Sequence, residues 1–239
     1  FYPVDFASSG SSQIGGNVST NAGGIKVIRY GLTRDWIAGL KVVTGTGALL
    51  DCNAGLVKNA TGYDFRHLLS GAEGTLGLLA EIDVQLTAAP EPQVVMVMGV
   101  PNVGDLLQIL QTFNSGLTLS AFEFFSDVAL QKVREHRGLP APLAQAEAFY
   151  ALVEFDQSAN SAAEAAFAAC LASGWVTDGV LSQSEAQAAA LWQLREGISE
   201  AIAPYTPYKN DLSVRISDVP EFLADVDKYV ADSFPDFEV

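Results

Sequence analysis

The hydrophobic pattern changes character once along the chain. Up to about residue 88, apolar residues come in short runs interrupted by glycine. Trp36–Asp51 reads WIAGLKVVTGTGALLD, two strand-like runs broken at Gly45-Thr46-Gly47, and predicts a β-hairpin. Leu78–Leu86 (LLAEIDVQL) alternates apolar and polar in its later residues, as a half-buried strand does. Residues 1–35 have no period and are dominated by Gly, Ser, Asn and Thr, which predicts a tightly turning backbone rather than long elements. At Ala88-Ala89-Pro90-Glu91-Pro92 two prolines break any continuing strand or helix, so a domain boundary is expected at about residue 90.

Beyond that boundary strands and helices alternate. Strands are predicted at Val94–Val100, Leu117–Phe125, Ala148–Phe155, Trp175–Leu181 and Tyr208–Val214. Helices are predicted at Val103–Asn114, Ser126–Arg137 (started with the help of Asp127), Ser161–Ser173 (closed by Gly174), Ser184–Ile202 and Val219–Ser233, with a proline-containing loop at 139–142. Such alternation with short connections predicts an α+β fold, a layer of helices on a mostly antiparallel, ferredoxin-like sheet.

Composition narrows the function. At 239 residues the chain exceeds a typical domain of about 100–200, and 49% hydrophobic with 17% charged is the make-up of a folded protein. The net charge of −15 repels phosphate backbones and anionic lipid headgroups, which argues against nucleic acid and membrane surfaces as partners. No run of about 18 apolar residues is present to span a bilayer. The opening Phe1-Tyr2-Pro3-Val4-Asp5 lacks the regions of a signal peptide, so a cytoplasmic location is expected. Cys52 and Cys170 lie outside any metal or redox spacing and are expected to be reduced structural thiols. The chain opens without Met and closes on Phe234-Pro235-Asp236-Phe237-Glu238-Val239, and both ends read as cuts through a longer protein. Its two histidines, His67 and His136, leave few groups that titrate near neutral pH. His67, beside Leu68-Leu69, is expected to be a hydrogen-bonded structural histidine.

Three segments could carry chemistry. Residues 10–24 (GSSQIGGNVSTNAGG) hold five glycines whose bare backbone could approach a pyrophosphate or a flavin edge; a glycine-rich turn without ligand is the other reading. The segment fits neither the Gly-Lys-Ser/Thr pattern of P-loops nor Gly-x-Gly-x-x-Gly. Asn59–Asp64 and Ser70–Gly77 are turn-forming segments in which Glu73 either accepts from a sugar hydroxyl or ties down its own turn. Arg195 and Ser199, spaced i, i+4 on a predicted helix, could join Lys209 to clamp a carboxylate; a solvated helix face is the plain alternative.

Together these segments resemble the FAD-linked oxidase family of the vanillyl-alcohol oxidase and p-cresol methylhydroxylase type, in particular its D-2-hydroxyacid dehydrogenase branch. The resemblance rests on IGGNVSTNAGG and RYG within 14–31, KNATGYDFRHLLSGAEGTLGLL at 58–79, LREGISEAI at 194–202 and YKNDLSVRISDVPEFL at 208–223. It implies that residues 1–90 are the second half of an FAD-binding domain and 91–239 a substrate-binding domain truncated at its end. It implies that Gly15, Gly16, Asn17, Thr20, Asn21, Gly23, Gly24 and Gly31 line FAD, with Glu73, Gly74 and Gly77 on the other wall. It implies that Arg195, Ser199 and Lys209 bind the substrate carboxylates; Arg215 stands where many relatives have proline.

The implied reaction is oxidation of a D-2-hydroxy acid of the D-lactate, D-2-hydroxyglutarate or glycolate class to the 2-oxo acid, by hydride transfer to flavin N5. The family's pyrophosphate loop and its histidine-rich ligands for a divalent metal have no counterpart among these residues, so no catalytic residue and no metal ligand is expected here. An electron-acceptor protein or a quinone, and a homodimer, complete what the resemblance implies. The competing expectation is a non-catalytic binding fragment that needs missing segments or another chain.

Overall fold

The computed structural model describes residues 1–6, 8–53 and 55–237. They form two units, Phe1–Pro92 with Leu119–Phe122, and Gln93–Thr118 with the residues from Glu123 on.

In the first unit the glycine-rich opening forms two short helices, α1 (Ile14–Ser19) and α2 (Val27–Tyr30), where sequence predicted only turns. The predicted hairpin is present as β1 (Ile37–Val43) and β2 (Leu49–Cys52), antiparallel from Leu40↔Cys52 to Val43↔Leu49. A short helix α3 (Phe65–Leu69) precedes β3 (Leu78–Val84), which pairs antiparallel with the other edge of β1, giving the order β2-β1-β3. The core is small: Val18 of α1, Ile37, Leu40 and Val42 of β1, Cys52 and Leu69, with Leu79 and Ile82 packed against it. Leu49, Leu56, Val57, Leu78 and Leu86 remain exposed.

The second unit is built on β4 (Gln93–Val100), followed by α4 (Leu106–Gly116), β5 (Leu119–Ser126), α5 (Asp127–Arg137), β6 (Phe149–Asp156), α6 (Asn160–Ala172) and β7 (Gly179–Leu181). The strand order is β5-β6-β4-β7, with β4 antiparallel to both β6 and β7. Apart from α5, which lies between the two middle strands in sequence, this is the order of a ferredoxin-like sheet, as predicted. Successive strand residues point to opposite faces. Val94–Val100 and Tyr150–Phe155 are buried without interruption, so both faces of the sheet are covered rather than one. Sequence placed these strands correctly because continuous apolar runs bounded by turns mark strands buried on both sides.

Helix starts follow local chemistry. Ser126, rather than Asp127, caps α5 by accepting from the Ala129 N–H, and Gly138 closes that helix with a left-handed φ of 67°. Helix α7 (Glu185–Glu196) is capped by Ser184, and a single turn at Gly197 separates it from α8 (Ile198–Ala201), so the predicted helix 184–202 is interrupted. A Cβ at Gly197 would stand 2.8 Å from the Gln193 carbonyl and 3.0 Å from Val133 of α5, so glycine lets these helices approach.

Two further predictions need correction. The strand expected at Trp175–Leu181 is confined to Gly179–Leu181, because only these residues find partners on β4, while Thr177 and Asp178 bond to Gly99 in a turn. Residues 208–214, expected as a strand, carry no regular structure and are exposed, with no described strand pairing with them. The last helix, α9 (Val219–Ser233), matches its prediction.

Candidate functional site

In the first unit two predicted segments come together. The Gly71 N–H donates to the Val18 carbonyl at 3.0 Å and the Glu73 N–H to the Ser19 carbonyl at 2.9 Å, fastening the Ser70–Gly77 turn onto α1. This brings the end of α1 against Gly71 and Glu73, with Asn21 also close to Gly71. Glu73 (φ 49°) and Asn21 (φ 48°) both adopt left-handed backbone, and the Asn21 Oδ1 accepts from the Arg34 N–H at 3.0 Å. Asn17 donates to Ser12 and Thr20 back to the Gly16 carbonyl. Glu73 and Thr20 are exposed.

The predicted glycines divide into two kinds. Gly15, Gly16 and Gly74 have no atom within 4 Å of where a Cβ would stand, so their bare backbone borders open space. The others meet neighbours. A Cβ on Gly24 (φ 104°) would lie 1.9 Å from the Asp5 carbonyl, one on Gly31 (φ 72°) 2.4 Å from the Asp35 carboxylate, one on Gly77 2.6 Å from Val42, and one on Gly23 3.3 Å from Leu32. Chain packing alone accounts for those four.

One anchor escaped sequence reading. Arg66 on α3 donates from Nε and Nη2 to Asp64 (3.0 and 2.7 Å) and from Nη1 to the carbonyls of Ile37 (3.3 Å) and Ala38 (2.9 Å) on β1. Asp64 also caps α3 by accepting from the Arg66 N–H. The Arg66 guanidinium holds the Asp64 carboxyl below the usual carboxylate range, chiefly through this hydrogen bonding. The signal was present as an Asp-x-Arg at a helix start. Burial raises the Cys52 thiol. His67, expected as a hydrogen-bonded structural histidine, is exposed on α3.

In the second unit, Arg195 lies in the last turn of α7, donates from Nε to Glu123 Oε2 on β5 at 2.8 Å, and places Nη2 2.8 Å from the same oxygen as an ion pair. Burial pushes the Glu123 carboxyl up, and Arg195 opposes this only in part. One turn earlier, Trp192 donates to the buried Glu154 of β6 at 2.6 Å. Gly197 keeps right-handed backbone (φ −69°, ψ −13°), so Ser199 follows Arg195 by about one turn. Lys209 arrives from the irregular segment and its Nζ donates to the Ser199 carbonyl at 3.3 Å. The structure thus gathers Ser199 with Lys209, and joins Arg195 to Glu123, a partner that sequence did not nominate.

A cleft of about 600 Å³ nearby is lined by Ile198, Ile202, Tyr205 and Tyr208 among others, and Arg195, Ser199 and Lys209 are not in its lining. His136 lies 3.5 Å from Glu200, which also binds Arg137. Arg215 is exposed with φ −62°, an angle proline also takes. Among the described residues no cluster of three or more His, Cys, Asp or Glu side chains could hold a metal ion. No described helix is long and apolar enough to cross a membrane.

Comparison with known proteins places this architecture. The family model for the C-terminal domain of FAD-linked oxidases matches residues 89–238, and that for an FAD-binding domain matches residues 1–53. The chain belongs to the FAD-linked oxidase family. It is 56% identical, over its whole length, to a D-2-hydroxyglutarate dehydrogenase of Xanthomonas citri pv. viticola and 54% to one of Stutzerimonas stutzeri, covering 51% and 52% of those proteins. A mitochondrial D-2-hydroxyglutarate dehydrogenase of Bos taurus is 39% identical over 94% of the chain. The chain spans about half the length of the curated relatives it matches. A solved alkyldihydroxyacetonephosphate synthase shares the fold, with a TM-score of 0.68 over 98% of this chain and 48% of that one, at 16% identity.

Proposed function

We propose that this chain supplies one wall of the flavin site and the substrate grip of an FAD-dependent dehydrogenase that oxidises D-2-hydroxyglutarate, or a close D-2-hydroxy acid, to the 2-oxo acid. The observation that carries the reading is the grouping in the second unit: Arg195 ends α7, Ser199 follows one turn on, and the Lys209 ammonium reaches the Ser199 carbonyl. A planar guanidinium, a hydroxyl and an ammonium are groups that carboxylate recognition uses. The 56% identity to a relative named for D-2-hydroxyglutarate supports a dicarboxylate.

Gly15, Gly16, Asn17, Thr20, Asn21, Glu73 and Gly74 would hold FAD, the open glycines allowing close approach of a flat ring system. Gly23, Gly24, Gly31 and Gly77 would shape the backbone behind that wall. Bound FAD supplies the acceptor for the hydride that leaves C2. Arg195, with Ser199 and Lys209, fixes the carboxylates and so sets the position of C2. The divalent metal implied by the family resemblance finds no suitable cluster of His, Cys, Asp or Glu among the described residues.

Residues 1–90 as half of the FAD domain and 91–239 as the substrate domain belong to this proposal, as do a cytoplasmic site of action, reoxidation by an electron-acceptor protein or quinone, and a homodimer. The test is kinetic: in the full-length protein Arg195→Ala should raise KM for D-2-hydroxyglutarate about a hundredfold, as loss of a charged hydrogen bond to substrate would. An unchanged KM removes Arg195 from the site.

A second reading is a non-catalytic fragment that binds flavin or substrate only with further segments or a partner chain. Absorbance spectra separate the two readings. A yellow full-length protein supports the enzyme, and a colourless one without affinity for 2-hydroxy acids supports the fragment.

A further inference from the structure

An arginine side chain on a helix surface has many rotamers, and holding it in one costs up to about 2 kcal/mol of entropy. Arg195 is held. Its Nε and Nη2 converge on the single Oε2 of Glu123, each at 2.8 Å, which fixes the plane of the guanidinium. Glu123 lies on β5, the edge strand paired to β6, with its side chain only 20% exposed. The helix beneath Arg195 is equally constrained. Trp192 ties α7 to Glu154 of β6, and Gly197 sets the close contact of the helix end with Val133.

Stability is a weak reason for this arrangement. A partly exposed ion pair contributes about 0–1 kcal/mol, and burying Glu123 works against it. Orientation is a better reason. A guanidinium has five N–H donors in one plane, and Glu123 accepts the one on Nε while pairing with Nη2 at 2.8 Å, which leaves the other donors of the fork for a further partner.

We propose that Glu123 is the positioning residue for Arg195, holding one edge of its guanidinium so that the rest of the fork meets a substrate carboxylate. The inference rests on the proposed role of Arg195, and the test keeps the two apart. In the full-length FAD-loaded protein, Glu123→Ala should raise KM for D-2-hydroxyglutarate about tenfold with kcat within about threefold, because a misaimed grip weakens binding and transition state together. Glu123→Gln retains an acceptor oxygen at the same reach and should stay within about threefold of the parent KM. Calorimetric Kd values for 2-oxoglutarate should follow the same order without reference to turnover.

If Arg195→Ala raises KM and both Glu123 variants leave KM and Kd unchanged, the positioning role is overturned while the grip stands. If Glu123→Ala tightens binding, Glu123 competes with substrate for Arg195 and the proposal is likewise overturned. If Arg195→Ala changes nothing, the grip itself has failed. Should Glu123→Ala not fold, Glu123→Asp, which withdraws the oxygen by one methylene, takes its place with the same outcomes.

Discussion

Each unit contains an arginine bonded to a carboxylate through Nε and Nη2, and the two pairs are used in opposite ways. Arg66 in the first unit gives its remaining contacts to its own backbone, the carbonyls of Ile37 and Ala38, and works as a staple between α3 and β1. Arg195 in the second unit leans on one oxygen of Glu123 at the end of a helix that other contacts already fix. The surroundings explain the difference. The first unit has a small core and exposed Leu49, Val57 and Leu78, so polar staples hold its strands and turns together. The second buries β4 and β6 on both faces, so its stability rests mainly on that core and only slightly on Arg195.

The largest expected effect lies in the staple. Arg66→Ala takes one donor from the Ile37 carbonyl and one from the Ala38 carbonyl, which keeps the Asn53 amide, and leaves Asp64 without its side-chain partner, which should cost about 3 kcal/mol of unfolding free energy. Hydrogen exchange of β1 and α3 amides should accelerate while β4 and β6 amides stay protected. Equal acceleration in both units would break the contrast. Next comes Gly24→Ala, expected to cost about 2 kcal/mol, since the new Cβ would meet the Asp5 carbonyl at a left-handed φ of 104°. Denaturant midpoints would measure it, and a loss below half of that would show that residues 5–6 and 24 adjust freely.

These two residues mark where sequence was legible. Strands β4 and β6, helix α9 and the hairpin β1–β2 were readable because apolar runs and turn residues act locally. The broken helix at Gly197 was not, since it depends on Val133, distant in the chain. Residues 208–214 alternate like a strand, but no edge pairs with them, and pairing is a tertiary fact. Of the proposed site, the types and order of residues were legible. The split between open glycines such as Gly16 and packed ones such as Gly24 was not, because both occur in one motif and only their neighbours differ. Glu123 was missed because it lies on a strand 72 positions from Arg195.

A pH series sharpens the contrast by its sign. Asp64 has a folded pKa lowered by Arg66, so its stabilising contribution is present above the unfolded pKa and is lost as pH falls through the folded value. Glu123 has a folded pKa raised by burial, so it burdens the fold above that value and the burden is relieved as pH falls. Removing Arg195 takes away the opposing influence. Arg195→Ala should therefore lose about 1 kcal/mol as pH rises from the unfolded carboxylate value through the raised folded value of Glu123, more steeply than the parent. The figure is modest because the Arg195 side chain is 35% exposed and solvent screens the pair. A slope equal to the parent's would mean that Glu123 does not feel Arg195.

The smallest expected effect on stability separates the two kinds of glycine. Gly16 lies inside α1, has no positive φ and has no atom within 4 Å of where an added methyl group would stand. Alanine there should gain about 0.5 kcal/mol, because it restricts the unfolded chain and favours the helix. If the open backbone at Gly16 faces FAD, the same methyl intrudes on the cofactor. The full-length Gly16→Ala protein should then melt at or above the parent temperature in its flavin-free form, yet bind FAD about tenfold more weakly, or about 1.4 kcal/mol, by flavin fluorescence titration. Gly24→Ala should show the reverse emphasis, a loss of stability first and of flavin only as a consequence. A Gly16→Ala protein that keeps both its stability and its FAD affinity would remove Gly16 from the flavin wall.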